Sequence, residues 1–282
     1  MDRLDKGDRE ISEDKPFVKL LYELRIRVTR ICIIMIILVS VCMTLGVTVI
    51  KFDGFGLIIL YPDTFNSLSI QVISQIKNDL LPNNVSLIQT TPGQTFTAQV
   101  YVAIIIGMVG SLPVMLGELF AFLNPALHYS EKRIIKRIVV PIISLFVIGC
   151  LFSYYVAIPY TLDFLYQYGQ AISVLTFFEI TPFVLFVVNM LLIFGFAFQL
   201  PIVMWALTKT RIVDTNFWKD NLRYVVIFLV ILGAIITPDG SGITMWFVVG
   251  PLMLLYVIGI ITIQLDLRIS KYDSARLANF KI

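Results

Sequence analysis

The chain alternates between long apolar blocks and short charged segments. Residues 31–50 run twenty positions without a charge, and residues 100–123 carry one, Glu118. Residues 138–160 and 181–208 carry none. Residues 224–237 form an uncharged block of only fourteen, and residues 243–265 one of twenty-three. A membrane-spanning helix needs roughly 20 apolar residues at about 1.5 Å each. Pro238-Asp239-Gly240-Ser241-Gly242 lies between the last two blocks and has the residue types of a tight turn. The pattern therefore predicts six transmembrane helices, the last two forming a hairpin, within a single membrane domain over 1–282. The fold class is all-α, a polytopic integral membrane protein.

Charge gives these blocks a direction. Lys and Arg number eight up to Arg30, two in 51–99, four in 124–137 and none in 161–180. They number four in 209–223, none in 238–242 and four after residue 265. Alternate segments thus hold twenty against two. Basic loops stay on the cytoplasmic side, so both termini are expected in the cytoplasm and the protein in the plasma membrane. The first 30 residues are too charged for the apolar part of a cleavable signal, so the first block is expected to remain as an anchor.

Two features modify the simple bundle. Pro113, Pro141, Pro159, Pro201 and Pro251 fall within spans, where each removes a backbone donor and bends its helix. Bent helices can make a cupped bundle. The fifth block reaches only about 21 Å as helix against a core of roughly 30 Å. It either extends into its polar flanks or thins the bilayer locally. Outside the spans, Leu68, Val72, Ile76 and Leu80 recur every four residues. They predict an amphipathic helix over about 67–81 on the external face, ended by Pro82.

Composition narrows the chemistry. Only 15% of residues are charged and 58% are hydrophobic. Cys32, Cys42 and Cys150 all lie in or at apolar blocks, and His128 is the one histidine. No metal site, cofactor or disulfide framework is expected. No phosphate-binding Gly-Lys loop, dinucleotide fingerprint or nucleophilic triad is present, and no nucleic-acid partner is expected. A membrane-embedded enzyme is thereby disfavoured. A small-solute or ion secondary transporter stays open as an alternative, although only Glu118, Gln199, Asn189 and some hydroxyls could line its path, and no internal repeat is visible.

Four short stretches resemble one family. Residues 20–27 read Leu-Leu-Tyr-Glu-Leu-Arg-Ile-Arg, similar to H-L-x-E-L-R-x-R. Residues 120–127 read Phe-Ala-Phe-Leu-Asn-Pro-Ala-Leu, followed by Glu131-Lys132-Arg133. Residues 194–201 read Phe-Gly-Phe-Ala-Phe-Gln-Leu-Pro, and 237–239 read Thr-Pro-Asp. In this order, on this topology, they resemble the TatC family, the large subunit of the twin-arginine protein translocase. Gln199, Gln94 and Val257 stand where that family often has Glu, and Glu118 stands where Gln is common.

The resemblance implies a receptor for signal peptides with two consecutive arginines on folded cargo, driven by the proton motive force. It implies TatA- and TatB-type single-span partners in an oligomeric complex in the lipid bilayer. It places the peptide site at Glu23, Arg25, Phe122, Pro125, Leu127, Glu131, Lys132 and Arg133, with Asp239 at the external turn. The chemistry is coherent, because a guanidinium pairs bidentately with a carboxylate. Simpler readings stand beside it. Glu23 can pair with Arg27 four residues on, Glu131 can be a loop charge near Arg133, and His128 an ordinary interfacial residue. Glu118, costly within a span unless paired or hydrated, is expected either to meet Gln199 or to reach the headgroup layer.

Overall fold

The computed structural model describes the backbone of residues 4–52, 55–81, 85–123, 129–171, 173, 176–210, 213–237 and 242–279. Side chains are described over 21–48, 59–81, 85–118, 139–171, 173, 176–210, 213–235, 237 and 242–266. Among the described residues, five helical stretches are long and apolar enough to cross a membrane: Leu21–Thr44, Gln94–Glu118, Val139–Ala171, Ile180–Lys209 and Ile243–Asp266. Leu222–Ile235 is a shorter apolar helix. Each of the six expected blocks is thus helical over most of its length. The chain packs as two compact units, residues 1–73 with 99–140 and residues 74–98 with 141–282.

The first unit holds α1 (Leu4–Thr44), a hairpin of β1 (Leu45–Phe52) and β2 (Phe55–Pro62), the start of α2 (Leu68–Leu80) and most of α3 (Gln94–Leu123). The expected first span, 31–50, does not hold at its end: the helix stops at Thr44, and 45–50 belong to β1. Residues 47–50 are Val-Thr-Val-Ile, all β-branched, which lose side-chain freedom in a helix and fit a pleated sheet. The antiparallel register pairs Leu45 with Pro62 and Phe52 with Phe55, and Asp53-Gly54 between the strands has the residue types of a two-residue hairpin turn. Hydropathy alone cannot separate such a run from helix. A buried polar chain ties this end together: Gln99 Nε2 donates to Ser67 Oγ at 2.9 Å, Ser67 and Ser69 share a bond at 3.1 Å, and Ser69 Oγ donates to the Cys42 carbonyl at 3.1 Å.

The α2 helix has the predicted extent. Its buried stripe is Ser69, Ile73, Ile76 and Leu80, with Leu68 and Val72 half-buried at its margin.

The second unit centres on α6 (Ile180–Ala197), whose Phe183, Val184, Val187, Met190 and Phe194 are buried around most of its circumference. Against it lie α4 (Tyr129–Phe152) and a π-helical turn at Ser153–Ala157, which α5 (Ile158–Ala171) continues. The π turn directly precedes Pro159. Proline lacks the amide hydrogen and crowds the carbonyl four residues back, so widening the preceding turn relieves both; the Ile158 amide bonds the Ser153 carbonyl five residues back. Two glycines allow close approach. A Cβ on Gly149 would lie 2.5 Å from the Phe194 carbonyl oxygen, and one on Gly195 would lie 2.7 Å from the Phe146 ring. The helix breaks at Phe198-Gln199 and resumes as α7 (Leu200–Lys209), with Pro201 in its first turn, where the missing amide hydrogen costs nothing.

A short α8 (Thr215–Asp220) precedes α9 (Leu222–Ile236) and α10 (Ile243–Asn279). Asn221 ends α8 and caps α9, which has 15 residues. It therefore spans about 22 Å and does not extend far into its polar flank. Trp218 anchors this corner. Its Nε1 donates to Thr208 Oγ1 at 3.0 Å, and its carbonyl accepts the Tyr256 hydroxyl at 2.7 Å. The class remains all-α, with two small sheets outside the spans. The second sheet pairs β3 (Ser86–Ile88) in parallel with β4 (Phe177–Glu179).

Candidate functional site

Glu23, Arg27 and Arg30 lie at i, i+4 and i+7 on α1, so they form one stripe along the helix. Across from them, Glu118 projects from α3. The four side chains make one charged cluster. Arg27 Nη2 and Nε donate to Glu23 Oε1 at 2.6 and 3.3 Å. Arg27 Nη1 donates to Glu118 Oε2 at 2.9 Å, and Arg30 Nη1 donates to Glu118 Oε1. Glu118 is 11% exposed and Arg27 19%, against 38% for Glu23 and 57% for Arg30. The acid on α3 is thus the enclosed member, and Glu23 is the partly open one. Both of Glu23's hydrogen bonds fall on Oε1. Among the described residues its Oε2 accepts none.

This arrangement explains how an acid is tolerated within an apolar helix. Two guanidinium groups satisfy its two oxygens, which offsets the loss of hydration. It also shows that the i, i+4 pair of Glu23 and Arg27 is formed. Arg25 is exposed, and its carbonyl accepts the Thr29 hydroxyl at 2.8 Å. Glu118 and Gln199 belong to different units, and each has partners within its own. Gln199 sits at the break between α6 and α7. Its Nε2 donates to the Ile142 carbonyl at 3.2 Å and the Gly195 carbonyl at 3.4 Å. Its Oε1 is buried and has no hydrogen-bond partner among the described residues.

Phe122 and Glu131, Lys132 and Arg133 fall on the helical backbone of α3 and α4, and their side chains lie outside the described residues. Pro125, Leu127, His128 and Asp239 lie outside the described residues altogether. Gln94 opens α3; its Oε1 accepts the Thr90 amide at 2.9 Å, and its Nε2 approaches Glu179 at 3.4 Å. Val257 is exposed on α10.

Two groupings were not foreseen. Arg27 and Arg30 as partners of Glu118 were half visible in the heptad-like spacing on α1; which acid faces them depends on how α1 and α3 pack. Asp266 accepts both Lys209 Nζ at 2.9 Å and Trp205 Nε1 at 3.2 Å. No spacing rule links residues 57 and 61 apart.

The family model for the Sec-independent protein translocase protein (TatC) matches residues 19–251. That match runs through both units and through the α1–α3 cluster. The chain belongs to the TatC family. A TatC protein of Cenarchaeum symbiosum is 45% identical over 243 residues, which cover 86% of this chain and 92% of that protein. TatC of Carboxydothermus hydrogenoformans is 30% identical over 71% of this chain and 79% of its own length. TatCy of Bacillus subtilis is 32% identical over 61% and 68%. A crystal structure of the twin-arginine translocase receptor TatC superposes with a TM-score of 0.71 at 26% identity, over 87% of this chain and 98% of that one. TatC membership makes the chain a multi-pass membrane protein and a protein-translocase component, a family without enzymatic activity. The apolar spans and the helical fold agree with it.

Proposed function

We propose that this chain is the signal-peptide receptor and core subunit of a twin-arginine translocase in the plasma membrane. It binds signal peptides with two adjacent arginines on folded cargo and works with TatA- and TatB-type single-span subunits, using the proton motive force. The observation that carries this reading is the TatC match across both units together with a half-open carboxylate, Glu23, on α1. Relatives along most of the chain carry the translocase name, and a solved TatC with the same fold is described as the receptor. The charge bias of twenty basic residues against two supports cytoplasmic termini, and hence a cytoplasmic position for Glu23.

In this reading Glu23 and Glu131 receive the two guanidinium groups. The charge pattern expects both at membrane interfaces, where partial exclusion of water strengthens ion pairs over those in bulk solvent. Phe122, Pro125 and Leu127 offer an apolar surface to the peptide's hydrophobic segment. Arg25, Lys132 and Arg133 set the local field, and Asp239 marks the external turn.

The test is export of a folded twin-arginine reporter in cells lacking their own TatC. The chain, supplied with TatA- and TatB-type partners of its own source, is expected to restore export. Glu23→Ala and Glu131→Ala should each reduce export and peptide crosslinking by at least about ten-fold, roughly the loss of one charge-assisted pair. Equal crosslinking of a twin-arginine peptide to the double variant would show that the site is elsewhere.

A further inference from the structure

The Glu23–Arg27–Glu118–Arg30 cluster contains more than is needed to hold two helices together. Arg27 meets Glu23 side-on through Nε and Nη2, yet both bonds go to a single oxygen, Oε1. A guanidinium left alone with a carboxylate closes a two-oxygen fork, the stronger arrangement. Here the third nitrogen, Nη1, is engaged at 2.9 Å by Glu118, which is itself the most enclosed member at 11% exposure. Glu118 is held in turn by Arg30. The enclosed carboxylate therefore holds the third nitrogen of Arg27 away from Glu23, and Oε2 of Glu23 accepts no hydrogen bond among the described residues.

We propose that Glu118 is a positioning residue for arginine recognition: by holding Arg27 Nη1 it stops Arg27 from closing a two-oxygen fork on Glu23, and so leaves Glu23 Oε2 for an incoming guanidinium. This rests on the reading of Glu23 as a recognition carboxylate. Glu118 touches no peptide in this scheme. It acts through Arg27, and it also stays on Arg27 when Glu23 turns toward a guest, so that the exchange of partners does not strip Arg27 of this contact. Arg30, 57% exposed, anchors Glu118 from the solvent-accessible side. A glutamine at 118 could still accept one hydrogen bond. It would lack the charge that competes with Glu23 for Arg27.

The experiment is a titration of full-length protein in nanodiscs with a fluorescent peptide carrying two adjacent arginines and an apolar segment. Kd is read for wild type, E118Q, E118D, R27Q, the E118Q/R27Q double variant and E23Q. E118Q should bind about ten-fold more weakly, because Arg27 then closes on Glu23. E118D, which keeps the charge, should recover most of that loss. R27Q should bind about two- to five-fold more tightly than wild type, because it frees Glu23. The double variant should match R27Q, since Glu118 has no role without Arg27. A purely structural salt bridge predicts the opposite ordering, with R27Q weakened and the double variant no better than E118Q. Either of those results, or an E118Q that binds as wild type, overturns the proposal. The E23Q arm separates the two levels of the argument. Loss of binding in E23Q with an unchanged E118Q sinks only the role of Glu118, and unchanged binding in E23Q sinks the site reading itself. If E118Q does not yield folded protein, R27Q and E118D decide the matter.

Discussion

Asp79 shows how a single exposed carboxylate can carry structural information. It lies on α2 and accepts the Tyr154 hydroxyl at 2.7 Å and the Gln75 side-chain amide at 2.9 Å. The phenol, and then the amide, hold its carboxyl below the usual carboxylate range. A carboxylate with a lowered folded pKa stabilises the folded state above its unfolded value, and this contribution fades as pH falls through the lowered one. The difference in melting temperature between wild type and Tyr154→Phe should therefore be full at neutral pH and close progressively in acid. A difference independent of pH would assign the effect to packing of the ring. In the α1–α3 cluster the enclosed acid should matter more than its exposed partner. Glu118→Ala should lower the melting temperature in detergent more than Arg30→Ala, because the first removes a contact from both Arg27 and Arg30 and the second removes one 57% exposed cation.

Among the elements, helix contact in the second unit depends on small residues. Apolar side chains gain little by leaving lipid for one another, so close backbone approach and dispersion contacts set the packing. Gly149 faces the Phe194 carbonyl, a backbone atom that cannot rotate away. Gly149→Ala is expected to cost about 1–3 kcal/mol, the usual range for overpacking, read as a lower melting temperature or faster proteolysis. Gly250 on α10 has nothing within 4 Å of its would-be Cβ. Gly250→Ala should be neutral or stabilising by up to about 1 kcal/mol, since alanine is the better helix former. If both substitutions behave alike, helix propensity and not packing sets stability here. The π turn before Pro159 and the break at Phe198-Gln199 are likewise consequences of proline. Prolines were legible in the sequence as bends. The form each bend takes, a widened turn in one case and a restart in the other, is visible only in the backbone.

For the whole molecule, the directional prediction concerns the two faces of the membrane. A phosphatase fused after residue 282 should be inactive, and one placed within 51–99 or 238–242 active, because that enzyme matures only outside the cytoplasm. The reverse pattern would overturn the assignment of Glu23 to the cytoplasmic face. The 15-residue α9 is part of the same picture. A helix of about 22 Å in a core of roughly 30 Å is matched by local thinning of the bilayer or by flanking side chains that reach the interface. Lengthening α9 by four apolar residues should therefore relieve the mismatch while lowering export if the thin region is used in transport.

The helical spans and the α2 helix were legible in the sequence, because apolar length and a four-residue period report directly on transfer into lipid and on helical faces. The family was legible too, through motifs at 20–27, 120–127, 194–201 and 237–239. The end of the first span was not, since the Val47–Ile50 stretch is apolar whether it is helix or strand, and the hairpin pairing with residues 57–60 decided the matter. Nor was the state of the site. The sequence placed Glu23, Arg27 and Arg30 on one face of α1 and marked Glu118 as an acid needing a partner. That these four form one cluster, with Arg27 shared between two carboxylates and one oxygen of Glu23 left open, required the packing of α1 against α3. A charge buried at a helix contact takes whatever counter-charge the fold brings within hydrogen-bond range, and only tertiary structure decides which one that is.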